Sequence, residues 1–302
     1  MKLLLLGCGG QLGWELQRSL APLGELVALD RDTGADFADP GALPALLHEH
    51  APDVIVNAAA HTEIDRAERE PELAHVINAV APGLLAREAA ARGAWLVHYS
   101  TDYVFDGSGE LARDEDAPAA PLSVYGRSKF EGEQQVRASG CRHLILRTSW
   151  LHAARGANFA KTMLALAAER DRLRVVADQV GAPTGADLLA DVSAHVLRRA
   201  MHDSTLAGTY HCAAAGETSW HGYARFVVEH ARAAGLPLRL VPEAIEPVPS
   251  CDYPSVARRP LNSRLDTRRL RQRFGLHLPH WQDGVLRLLD ELLAGAMGRP
   301  ER

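Results

Sequence analysis

The chain has 302 residues, 47% of them hydrophobic and 24% charged, enough for one large domain or two smaller ones sharing an interface. A net charge of −5 and a pI near 6.3 offer no basic field to nucleic acid. No apolar run approaches the ~18 residues of a membrane span, the leucines of "MKLLLLGCGG" are too few for a signal-peptide core, and the four cysteines form no C-x-x-C pair, so free thiols in a reducing cytoplasm are expected.

Residues 2–6, "KLLLL", form a short continuous apolar run, which predicts a parallel strand buried on both faces. "GCGGQLG" follows, with Gly7, Gly10 and Gly13 three apart, then helical periodicity up to Gly24. A second strand, 25–30, ends on Asp30. This order of strand, glycine turn, helix, strand and acid is that of a dinucleotide-binding unit. The glycines let the backbone approach a pyrophosphate seated on the helix N-terminus. Asp30 can accept hydrogen bonds from an adenosine ribose, and the Arg31 guanidinium suits a 2′-phosphate, so NADH and NADPH both remain open. The spacing departs from the Gly-x-Gly-x-x-Gly of most dehydrogenases.

The alternation continues with a strand at 53–60, whose end, Ala58, Ala59 and Ala60, is small enough for a flat cofactor to pass. Residues 71–93 read as one long helix, with Asn78 a polar interruption of its apolar face. A strand at 94–105 runs into Ser100, Thr101, Asp102 and Tyr103, at the carboxyl end where doubly wound sheets bind ligands. The strand at 143–150 ends in Thr148, Ser149 and Trp150. Between these two strands, "VYGRSK" (124–129) sets Tyr125 and Lys129 one helical turn apart on one face. An ammonium held beside a phenol favours the phenolate, so the pair can pass a proton to a carbonyl oxygen. Alone, Tyr-x-x-x-Lys is a common accident. After a cofactor turn and a hydroxyl cluster it is a constellation.

Those features resemble the extended short-chain dehydrogenase/reductases, an α/β class with a Rossmann-like doubly wound parallel sheet and a smaller C-terminal α/β substrate-binding region. The blocks "GQLGWELQRSL", "VIVNAAAHTEIDRAE", "HYSTDYVFDG", "VYGRSKFEGE", "RTSWL", "NFAKTML", "DQVGAPT", "GTYHCAA" and "ARRPLNSRLD" resemble more closely the dTDP-4-dehydrorhamnose reductase family, from residue 2 to about residue 290. The resemblance implies reduction of the C4 ketone of dTDP-4-dehydro-L-rhamnose, the last step toward the activated sugar of bacterial surface polysaccharide (lipopolysaccharide and O-antigen). It implies that Thr101 holds the carbonyl, Tyr125 is the acid, Lys129 lowers its pKa and holds the nicotinamide ribose, and Asn78 supports the helix and proton relay. The cofactor cradle would include Gln11, Leu12, Asp36 and Phe37 beside the glycines, Asp30, Arg31 and the alanines. Thr62, Asp102, Tyr103 and Trp150 are expected to contact the sugar, Trp150 offering an apolar face to the C6 methyl. Arg258, Arg259, Asn262 and Ser263 are expected on the diphosphate side.

The expected division is a dinucleotide-binding domain at 1–150, with 171–214 returning to it, and a substrate-binding region made of 151–170 and 215–302. "RRLRQR" (268–273) reads as the polar face of a helix. None of the fourteen histidines has metal-ligand spacing. Some relatives hold Mg²⁺ at a homodimer interface, for which Glu15, Asp187 and Glu291 are the matching acids, Asp187 being the shorter one. Two other readings compete. A dehydratase or epimerase of the same superfamily shares the site, but a dehydratase needs Thr-Asp-Glu where this chain has Thr101-Asp102-Tyr103. A non-catalytic NADP-binding subunit, like the regulatory subunit of methionine adenosyltransferase, would bind cofactor without turnover.

Overall fold

A computed structural model describes residues 1–253 and 255–297. The expected end of the substrate region, 298–302, lies outside the described residues. The chain opens β1 (Lys2–Leu6), α1 (Gln11–Leu20), β2 (Glu25–Leu29), α2 (Leu43–His50) and β3 (Val54–Asn57). Two short helices, α3 (Ile64–Ala67) and α4 (Pro71–His75), lead through a π-helical turn (Val76–Val80) into α5 (Ala81–Arg92). Then come β4 (Trp95–Thr101), α6 (Val124–Ala138), β5 (Arg142–Thr148), β6 (Leu151–His152) and α7 (Phe159–Glu169). β7 (Leu173–Val176), β8 (Val180–Gly181), β9 (Thr184–Gly185), α8 (Ala186–His202), β10 (Gly208–His211) and β11 (Thr218–Ser219) follow. The chain continues with α9 (Trp220–Ala233), β12 (Ile245–Val248), α10 (Arg268–Phe274) and α11 (Trp281–Met297).

Six strands form one parallel sheet in the order β10-β5-β4-β3-β1-β2. The run Leu3–Leu6 has no exposed surface, because one layer of helices covers each face. On one side Leu3 and Leu5 meet Leu12 and Leu16 of α1 and Leu189 and Val196 of α8. On the other, Leu4 and Leu6 meet Leu47 of α2, Leu85 of α5 and Val136 of α6. The strand order reverses between β1 and β3, and the crevice at their carboxyl ends is where such a sheet takes a ligand. A separate core joins Met163 of α7, Tyr223 and Val227 of α9, Ile245 of β12 and Leu289 of α11.

The long helix expected at 71–93 is broken. Pro82 has no N–H for the Asn78 carbonyl four residues back. The ladder instead closes one residue wider, Ala81 N–H reaching Val76 O, and a π turn results. The expected return at 171–214 also divides. β10 completes the six-stranded sheet beside β5, and α8 packs on α1. β7 instead pairs in parallel with β12, and Leu173 and Val175 enter the second core.

Candidate active site

Thr101 closes β4, and its side chain accepts from Tyr103 N at 3.2 Å, starting a 3₁₀ turn. The same hydroxyl donates to Asp102 Oδ1 at 3.2 Å and lies beside the Tyr125 phenol. Ser123 caps α6, accepting from Gly126 N at 3.1 Å, and so fixes where Tyr125 enters the first turn. The helix seats closely because a Cβ on Gly126 would meet the Tyr103 carbonyl and one on Gly132 the Asn78 carbonyl. Within the π turn the Asn78 side chain accepts from His61 N at 2.9 Å, donates to His61 O at 3.0 Å and donates to the Ser128 hydroxyl at 3.0 Å. Asn78 thus braces the helix between Tyr125 and Lys129.

Lys129 is buried, with Nζ donating to the Tyr99 carbonyl at 2.6 Å. Burial brings its pKa down to about 8, opposed by the charge of Glu133. Burial pushes the Tyr125 phenol up to about 12; the Thr101 hydroxyl beside it pulls it down and the Asp102 carboxylate adds to the rise. The expected depression of Tyr125 by Lys129 is therefore not a property of the protein side chains alone, since the ammonium is committed to a backbone carbonyl. Burial likewise raises Asp102, to about 6, against the Ser263 and Thr101 hydroxyls. Its Oδ2 has no hydrogen-bond partner among the described residues.

The glycine turn fits a dinucleotide. Gly7 has φ +86 and lies so near Ala58 and Ala59 that a Cβ would fall 2.6 Å from Ala59 N. A Cβ on Gly13 would overlap Gly7 O, so α1 starts against the turn, while Gly10, its N-cap, is exposed and has no side chain to cover the helix end. Gln11 is half-buried, whereas Leu12 is buried in the core beneath the turn. Ala58, Ala59 and Ala60 are half-buried at the end of β3. Asp30 is half-buried and caps its own turn, Oδ1 accepting from Asp32 N at 3.1 Å and Thr33 N at 3.2 Å, while Oδ2 lies 3.6 Å from Cys8 Sγ. The Thr33 hydrogen bond holds the Asp30 carboxyl below its usual range. Arg31 is exposed, 3.6 Å from Asp32. Asp36 is half-buried and accepts from Ala38 N. Phe37 does not offer its ring to a ligand, because it is packed in the core with Leu43 and Leu47.

A cleft of about 1430 Å³ opens beside Tyr103, whose ring meets that of Tyr125 at 5.5 Å. Arg258 and Arg259 line it, Arg258 exposed and Arg259 paired with Asp65 at 2.8 Å. Thr62 is exposed two residues before Ile64, which also lines the cleft. Two expectations need correction. Asn262 is buried and its amide is spent inside the protein: Nδ2 donates to Leu111 O at 2.8 Å, and Oδ1 accepts from Arg264 N and Nη1. Trp150 has φ +47 and stacks on Trp220, ring centroids 3.7 Å apart. Trp220 is the indole lining the cleft, held by its Nε1 donating to Gln179 at 3.1 Å. Sequence reading missed Trp220, Gln179 and also Arg155, whose Nε donates to Gly9 O at 3.1 Å while its guanidinium lies over Trp14.

Glu15, Asp187 and Glu291 do gather on one small cavity with His152, but Arg287 is among them, 3.2 Å from Asp187 and 3.3 Å from Glu291. The arginine already supplies the cation, and among the described residues no cluster suits a metal ion. Mg²⁺ is not supported.

A family model described as the RmlD substrate binding domain matches residues 1–294. The dTDP-4-dehydrorhamnose reductase of Escherichia coli (strain K12) is 52% identical, over 97% of this chain and 98% of its own. This chain belongs to the dTDP-4-dehydrorhamnose reductase family. The family's member from Burkholderia thailandensis is 46% identical over 97% of this chain and all of its own. The crystal structure of the dTDP-4-dehydrorhamnose reductase of Bacillus anthracis in complex with NADP superposes with a TM-score of 0.86, at 35% identity, over 96% of this chain and 99% of that one.

Proposed function

We propose that this protein reduces the C4 ketone of dTDP-4-dehydro-L-rhamnose to dTDP-L-rhamnose, with NADPH or NADH as reductant. The observation that carries the reading is the Thr101–Tyr125 hydroxyl pair at the end of β4, with Lys129 one turn further along α6, in a chain that also builds a glycine cradle at the switch point. Bound nicotinamide supplies hydride to the ketone carbon. Tyr125 supplies the proton to the ketone oxygen. The Thr101 hydroxyl donates to that oxygen as negative charge develops on it. Lys129 holds the cofactor ribose, and its ammonium favours loss of the phenol proton. The Gly7–Gly13 turn and the N-terminus of α1 receive the pyrophosphate, and Ala58–Ala60 leave room for the flat groups. Residues 1–150 with α8 and β10 form the cofactor half, and the second core with the cleft forms the sugar-nucleotide half. Trp220, Tyr103 and Arg258 face the substrate there.

The test is oxidation of NADPH and of NADH in the presence of dTDP-4-dehydro-L-rhamnose generated in the same tube. Loss of reduced-nicotinamide absorbance with dTDP-L-rhamnose appearing is the expected result, and the two rates settle whether Asp30 or Arg31 governs coenzyme choice. Tight cofactor binding with no turnover would overturn the reading in favour of a binding subunit.

A further inference from the structure

The stripe that carries Tyr125 and Lys129 continues, four residues on, to Glu133. Glu133 has no exposed surface. Arg147 of β5 grips it with two parallel bonds, Nε to Oε1 at 2.8 Å and Nη2 to Oε2 at 2.7 Å. Arg137 adds a third, to Oε2 at 2.9 Å, and the Ser100 hydroxyl also faces the carboxylate. Burying a carboxylate is costly even when it is paired, and an apolar pair of similar volume would often be at least as stable. The position needs a reason beyond packing.

Lys129 supplies one. It is buried, and its single hydrogen-bond partner among the described residues is a carbonyl, which carries no full charge. The groups that face it are few. On its own helix they are Tyr125 and Glu133. From β4 come the Tyr99 carbonyl and His98, which burial and the nearby Lys129 charge hold neutral. His98 is in turn met by the Asn57 amide of β3, 3.2 Å from its Nδ1. Arg147 approaches from β5, on the far side of the Glu133 carboxylate. Glu133 is the sole anion in this set.

We propose that Glu133, clamped by Arg147, is a positioning residue for Lys129, supplying the counter-charge that keeps a buried ammonium charged and directed along the helix toward Tyr125 and the cofactor ribose. The proposal rests on the roles given above to Tyr125 and Lys129. The bidentate grip of Arg147 fixes where the carboxylate lies; it offsets part of the Glu133 charge, and the remainder acts on Lys129, four residues back along α6.

The experiment follows the alkaline limb of kcat/KM, with circular dichroism to verify folding. In Lys129→Met the limb should disappear from the residual activity. If it persists, the reading of Lys129 itself fails and Glu133 falls with it. In Glu133→Gln, and in Glu133→Gln/Arg147→Met, the limb should move down by about one pH unit, a tenfold change in the protonation equilibrium. The double variant removes both buried charges together, so it folds even where the single variant, with Arg147 stranded, does not. Glu133→Asp should restore the limb toward its original place. A limb that stays put in the folded double variant, having disappeared in Lys129→Met, would overturn the proposal and leave the pair a purely structural one.

Discussion

Asp102 tests whether the site stores instability for chemistry. Burial lifts its carboxyl from an ordinary 3.8 to about 6. A carboxyl whose folded pKa lies above its unfolded one binds more proton in the native state between those values. Stability is therefore greatest below pH 3.8 and falls as pH rises through 6. At about 1.36 kcal/mol per pH unit, the ionised form costs the fold about 3 kcal/mol once both states are deprotonated. Asp102→Asn removes the titration. It also buries an amide without guaranteed partners, a cost of about 1–3 kcal/mol, but that cost does not change with pH. The informative quantity is the difference between wild type and variant measured at two pH values. Urea unfolding at pH 8 and at pH 4 should show the variant's relative stability higher by about 2 kcal/mol at pH 8. A difference independent of pH would mean that Asp102 is solvated as an ordinary carboxylate, and the argument from burial would be wrong.

Three further outcomes are expected. Tyr125→Phe should keep cofactor binding and lose turnover by about 10²–10⁴-fold, read from steady-state rates beside a cofactor titration; near-normal turnover would remove Tyr125 from the mechanism. Gly13→Ala gains helix propensity worth about 1 kcal/mol, but its methyl collides with Gly7 O, so the turn must shift; cofactor affinity should drop at least tenfold, and unchanged affinity would show that the pyrophosphate is held elsewhere. Arg287→Met should lower stability by less than about 1 kcal/mol, since the pair is largely exposed, while added Mg²⁺ or chelator leaves the wild-type melting temperature and rate unchanged.

The parts of the site written in local sequence were readable from it. The leucines of β1, the glycines after it, the end of β4 and the Tyr125–Lys129 turn each sit within one strand or one helical turn, where periodicity is informative. Asn78 stood out as a polar residue on an apolar face. The bend around it also had a local signal, Pro82 four residues on, which the periodicity concealed. What failed depends on distant partners. Asn262 looks like a ligand group until Leu111, from a loop far back in the chain, takes its amide. Trp150 looks like a cleft residue until a left-handed backbone turns it onto Trp220, seventy residues later. Arg155 reaches the glycine turn only because the second core docks beside it. The pairing of β7 with β12 is likewise invisible to spacing, because both strands are only four residues long and lie about 70 residues apart.

The last strand of the main sheet has a consequence for how the protein is made. β5 is translated by Thr148, but its neighbour β10 ends only at His211, about 60 residues later. At about 5–20 residues per second, a nascent chain carries five ordered strands for about 3–12 s with β5 open, in addition to the permanent edge β2. The β5 edge displays "LIL", three apolar residues in a row, to other nascent chains on the same message. Slower translation of 149–211 should therefore lower soluble yield without altering the finished molecule.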